Sequence, residues 1–140
     1  MFSPKRYSKQ VRDYIIKPVN GANNSEFNCE GFCETEVKCV TNPRRTYINK
    51  VTFKLLVVKG TIENVRWSVF GDPVAIATCS WIVEHSLNKK IEELIHVVTP
   101  ERANLDLDFK FKVDLDAGCY TSFSAFMDAL RNYAPVACFL

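Results

Sequence analysis

Phe70-Gly71-Asp72-Pro73-Val74-Ala75-Ile76-Ala77-Thr78-Cys79-Ser80 reads as the end of a strand, a tight turn and the opening turns of a helix. Trp67 and Val69 alternate with polar neighbours before it, which is the strand period. Pro73 sits where a proline opens a helix without losing a hydrogen bond. Asp72 is then the natural N-cap, its carboxylate facing the unpaired amides of the first turn. This reading expects the Asp72 side chain at the protein surface, near the tip of the strand that ends at Phe70. A strand that delivers one side chain to the mouth of a helix is a common way to build a ligand site. Within the helix, Cys79 shares a stripe with Ile76 and Val83, so it reads as a small buried apolar residue rather than a reactive thiol.

Outward from this stretch the periods alternate between strand and helix. Tyr47 to Lys59 puts Val51, Phe53, Leu55 and Val57 on one strand face, Gly60 turns the chain, and Ile62 to Phe70 returns as the partner strand. Glu36 to Val40 looks like a shorter strand closed by the Asn42-Pro43 turn, and Asn20 to Gly31, rich in Asn, Ser and Gly, reads as a loop. Pro4 to Ile16 forms an amphipathic helix on Tyr7, Val11, Tyr14 and Ile15, ended by Pro18, Asn20 and Gly21.

Downstream, the helix from Pro73 runs to Leu87. A second spans Lys89 to Val97 with Asn88 as its cap, and Thr99-Pro100-Glu101 starts a short third. Leu105 to Leu115 alternates Phe109, Phe111 and Val113 with Lys110 and Lys112, which is strand-like. The last helix, Ala117 to Tyr133, carries Cys119, Phe123, Phe126 and Leu130. The order implies an α+β fold, a small antiparallel β-sheet of three or four strands with helices packed on one face. One domain over residues 1–140 is expected at this length.

The whole chain excludes several classes. A net charge of +2 lacks the concentrated basic face of a nucleic-acid binder. No window approaches the roughly 18 apolar residues of a membrane span. The start, with Lys5, Arg6, Lys9 and Arg12, has no apolar stretch of a secretory signal behind it, so a cytoplasmic location is expected. Six cysteines are many for such a chain, and in the cytoplasm clustered thiols suggest metal or redox chemistry. There is no C-x-x-C pair; Cys29-x-x-x-Cys33 is the nearest to one.

The opening stretch resembles the Tyr-Gly-Cys-Gly-Ser-Ala-Ile-Ala-Ser-Ser-Ser motif of the IscU/NifU-type iron–sulfur scaffold proteins, with Asp72 where that family has a cluster-holding cysteine. Tyr7-Ser8-Lys9-Gln10-Val11-Arg12-Asp13-Tyr14 and Lys17-Pro18-Val19-Asn20-Gly21 are similar to the family's opening segment. Gly60 to Trp67 is similar to its second strand. Ile82-Val83-Glu84 and Leu87 to Leu94 match its helix, basic turn and next helix, and Gly118-Cys119 falls on the family's His-Cys. The resemblance implies the IscU-like fold and a divergent scaffold-like protein. Such a protein is not an enzyme; it accepts sulfur from a cysteine desulfurase, or carries metal or sulfur among other iron–sulfur assembly proteins, and passes it on. The alternative it leaves is a metal-free pseudo-scaffold acting as an interaction or regulatory module.

The family holds its cluster through three cysteines, helped by an aspartate and a histidine. The second cysteine is Asp72 here, the histidine is Gly118, and the third cysteine is kept as Cys119. The first belongs to a Cys-Gly-Asp motif before a strand. If that strand is Glu36 to Val40 the position is Cys33; if it is Val51 to Val58 the position falls near Tyr47 and the cysteine is gone. The metal-site reading is therefore Cys33, Asp72 and Cys119, bound to zinc, to a labile [2Fe–2S] cluster, or to nothing. It requires the segment from Asn20 to Thr35 to fold over the start of the last helix. No Leu-Pro-Pro-Val-Lys segment, which bacterial members use to recruit their Hsp70-type chaperone, precedes Cys119.

The remaining residues carry no motif. Cys29 and Cys39 stand alone, and Cys138 lies in an apolar tail. His85 and His96 read as helix-surface residues. Asp106, Asp108, Asp114 and Asp116 read as a solvated face without the glycine and terminal glutamate of a calcium loop.

Overall fold

The architecture follows from which strands can alternate and which helices can bury a face. In a computed structural model of the chain, describing residues 7–22, 26–38, 42, 44–109 and 114–137, the elements run α1 (Lys9–Ile16), β1 (Cys29–Lys38), β2 (Thr46–Val58), β3 (Thr61–Phe70), α2 (Pro73–Ser86), α3 (Ile91–Val97), α4 (Pro100–Leu107) and α5 (Tyr120–Ala137). A π-helical turn, Asp114–Cys119, leads into α5. The sheet is three-stranded and antiparallel in the order β1-β2-β3. Its inner face is the row foreseen on β2: Val51, Phe53, Leu55 and Val57 are all buried, joined by Ile62 and Val65 of β3. Each such side chain contributes about 1.5–3 kcal/mol by leaving water.

α2 lies at the centre of the helical layer and is buried on nearly every side, from Val74 to Val83. α1 packs on it, and α5 packs on β1 and β2. α5 comes so close to β1 that a Cβ on Gly31 would stand 2.7 Å from Ala129 Cα and nearer still to the backbone at Ala125. Phe53 meets Phe126 edge-on with ring centroids 5.3 Å apart, and Thr35 and Thr121 hydroxyls bond at 2.9 Å. At the outer edge of β1, Asp128 accepts from the Phe32 amide at 3.0 Å and Asn132 donates to the Glu30 carbonyl. The edge of β3 is met by Asn20, whose amide bonds both the N–H and the C=O of Trp67 at 2.9 Å.

Several boundaries differ from expectation. β1 begins at Cys29 rather than Glu36, so residues 29–35 are strand and not a loop free to fold over the last helix. The predicted strand's end at Cys39-Val40, like Cys138, lies outside the described residues. Leu105 is helical: α4 continues to Leu107 and stops at Asp108, which takes a left-handed conformation with φ 51°. Residues 110–113, the middle of that expected strand, are not among those described. Asn88 does not cap α3; Lys90 occupies that position with no side-chain bond.

Candidate functional site

β3, α2 and the lead-in to α5 converge at one end of the sheet. Asp72 caps α2 as the sequence implied: its Oδ1 accepts from the Val74 amide at 2.8 Å. The side chain is not at the surface, however, since the residue is only 5% exposed. The reason lies on β2. Tyr47 reaches across and donates its hydroxyl to Asp72 Oδ2 at 2.9 Å, and the Asp72 amide donates to Asn49 Oδ1 at 3.2 Å. Both carboxylate oxygens are thus engaged within the protein. In the sequence Tyr47 reads as the start of a strand and as a position near which the resemblance leaves a cysteine missing.

Cys33 sits in the middle of β1 opposite Val51, a half-buried residue packed against the core. Its thiol is pushed above its ordinary value mainly by burial, with a hydrogen bond to Ser124 working against this and Asp128 working with it. The contacts of Thr35 with Thr121 and of Gly31 with Ala125 and Ala129 show that β1 and α5 run in opposite directions. Cys33 therefore stands beside Ser124, one turn and more along α5 from Cys119. Tyr47, the other position the resemblance leaves open, is hydrogen-bonded to Asp72.

Cys119 closes the π-helical turn and is fully buried. Gly118 before it lies against α2: a Cβ there would stand 2.5 Å from Val74 Cβ and 3.1 Å from the Ala75 amide. Gly118 and Cys119 thus lie beside the helix that Asp72 caps, and no side chain larger than hydrogen fits at position 118 without displacing Val74. Burial raises the Cys119 thiol to about 12, and Glu101 adds to this. Cys79, likewise fully buried, is raised further by burial, against a bond to Ser122.

A [2Fe–2S] cluster wants soft thiolate donors. Among the described residues no group of three or more His, Cys, Asp and Glu side chains is placed to hold a metal ion, so Cys33, Asp72 and Cys119 do not form one. The pole that carries Asp72 offers a carboxylate already hydrogen-bonded on both oxygens. This donor set does not fit a cluster.

The surroundings of His85 also differ from a solvated helix face. Its Nδ1 bonds the Trp81 carbonyl at 2.8 Å, its ring stacks on Trp81 with centroids 4.3 Å apart, and its Nε2 lies 3.9 Å from Asp106. Asp106 accepts from Trp81 Nε1 at 2.8 Å, which ties α4 to α2. Asp106 is therefore a structural acceptor, not a bystander.

No protein-family profile matches the chain, and no curated protein matches it in sequence. Solved structures do match in fold. A nitrogen-fixing NifU-like protein (N-terminal) from Brucella abortus superposes with a TM-score of 0.64 at 15% identity, over 91% of this chain and 93% of that one. An iron–sulfur cluster assembly scaffold protein for the SUF system from thermophilic Fervidobacterium islandicum AW-1 matches with a TM-score of 0.55 at 19% identity, over 92% of this chain and 99% of that one. The chain has the α+β fold of these two structures. Among the described residues no helix is long and apolar enough to cross a membrane.

Proposed function

We propose that this chain is a non-catalytic, scaffold-type protein of iron–sulfur cluster assembly that acts by contact with other assembly proteins rather than by carrying a cluster. The fold shared with NifU-like and SufU proteins supports the setting. One observation carries the departure from it: the ligand pole is built as hydrogen-bonded structure, with Asp72 engaged by Tyr47 and the Val74 amide. A cysteine desulfurase is the partner this role implies, and the cytoplasm its location.

A second reading has Cys33, Asp72 and Cys119 taking up zinc or a labile [2Fe–2S] cluster as cargo. It is favoured by Cys119 and Gly118 lying beside the helix that Asp72 caps, and it requires Cys119 to leave the core and Cys33 to leave its place beside Ser124. Anaerobic purification followed by analysis for iron, zinc and acid-labile sulfide separates the two. The contact role expects no stoichiometric metal, and equal binding of a cysteine desulfurase by wild type and Cys119→Ser in calorimetric titration. Near-stoichiometric metal that Cys119→Ser abolishes overturns it in favour of the cargo reading.

A further inference from the structure

Helices cover one face of the sheet. On the other, Thr52, Lys54, Arg66 and Ser68 form a two-by-two block: Lys54 lies opposite Arg66, and Thr52 opposite Ser68. Like charges placed directly opposite destabilise a sheet pair. No ion pair among the described residues relieves this one. Glu30, the β1 residue opposite Lys54, makes no ion pair with it, and Lys54 has no partner among the described residues. Arg66 donates Nη1 to the Gly21 carbonyl at 2.8 Å, which holds the guanidinium in place with its other N–H groups to spare. Half-buried Phe27 closes the arrangement, and the five residues line a hollow of about 170 Å³. An adjoining hollow of about 380 Å³ shares Phe27 and Lys54 and is lined further by Asn28, Cys29 and Glu30.

We propose that this block is an oxyanion site that takes a phosphate monoester. The two cations match a dianion, and charge-assisted bonds from guanidinium and ammonium are the strong ones. The hydroxyls of Thr52 and Ser68 complete the donor set. Phe27 borders both hollows, so the ester's apolar body lies against its ring where the two meet. Glu30 stands in that larger hollow and repels a second phosphate, which sets the preference for a monoester over a diphosphate.

The test is an amide NMR titration at constant ionic strength with phenyl phosphate, inorganic phosphate and acetate. Saturable shifts confined to the neighbourhood of Thr52, Lys54, Arg66 and Ser68 are expected, with phenyl phosphate binding more tightly than inorganic phosphate and acetate weakest. Lys54→Gln removes an exposed, unpaired charge and should lower phenyl phosphate affinity about tenfold, the order of one charge-assisted bond, with the rest of the spectrum unchanged. Glu30→Gln should let phenyl diphosphate bind as well as the monoester. Shifts that never saturate, that spread over other lysines and arginines, or that Lys54→Gln leaves unchanged overturn the site. Acetate binding as tightly as phenyl phosphate overturns the phosphate assignment.

Discussion

Replacing Asp72 with alanine removes two bonds at once, and their worth can be worked out separately. The cap to the Val74 amide, 2.8 Å long, contributes about 0.5–2 kcal/mol. The bond from Tyr47 to the other carboxylate oxygen, a bond to a charged acceptor, contributes about 1.5–3 kcal/mol. Water cannot take over either role readily, because the residue is only 5% exposed. Allowing for overlap, Asp72→Ala should cost about 2–4 kcal/mol. The assay is urea unfolding at pH 7, read as a lowered midpoint at unchanged slope. Asp72→Asn keeps an acceptor for the amide and should cost roughly 1 kcal/mol, the difference between charged and neutral bonds. A double-mutant cycle with Tyr47→Phe should return a coupling of about 1–2 kcal/mol. A loss below about 0.5 kcal/mol, the level of an ordinary surface substitution, or a coupling of zero, would refute the view that this pole is structural.

Gly31→Ala forces α5 away from β1 and should cost at least about 1–3 kcal/mol, measured by thermal unfolding; an unchanged midpoint would show that the helix does not rest on this strand. In the native protein Cys79 and Cys119 should react with a thiol reagent far more slowly than a free thiol, and labelling at the rate of a model thiol would mean the core opens there. The same burial makes stability depend on alkaline pH. The folded thiols keep protons that the unfolded chain releases, so stability is full below the unfolded thiol value. Above it, stability falls by up to about 1.4 kcal/mol per pH unit for each thiol, a decline that for Cys119 continues until pH passes about 12. Unfolding midpoints from pH 7 to 10 should show this fall, and Cys79→Ala should lessen it; a flat profile refutes it. Asn20→Ala should speed amide exchange at Trp67, since that side chain bonds both backbone groups there, and unchanged protection would show the bonds to be idle.

Local chemistry made the middle of the chain readable. The Asp72-Pro73 start of α2, the alternation of β2 and β3 and the Thr99-Pro100 start of α4 depend on neighbours in sequence, and each stands where the residues put it. The misreadings have tertiary causes. Residues 29–35 looked like part of a loop because Gly31 weakens a strand pattern, yet Gly31 is what lets α5 lie on β1. Leu105 alternated with polar residues like a strand, but the Thr99 cap starts a helix that carries through it. At the candidate site, the cap role of Asp72 was legible and its burial was not. Burial depends on Tyr47, 25 residues earlier, crossing from another strand. Nor does any local signal announce the π-helical turn before α5, whose side-chain register sends Cys119 into the core.

Asp128 and Asn132 on one side of the sheet, and Asn20 on the other, have a meaning for recognition. A three-stranded sheet invites a fourth strand, from a peptide or from another copy, wherever its outer amides and carbonyls are free. Here an incoming strand at β1 would first have to displace the α5 side chains from Phe32 and Glu30. At β3 it would meet Trp67 already bonded through both its backbone groups. Adding a strand at these positions trades existing hydrogen bonds for new ones and gains little. A partner meeting these positions would therefore be read through side chains, on the helices or on the sheet face opposite them. That is a surface where specificity can change one residue at a time while the backbone pairing stays untouched.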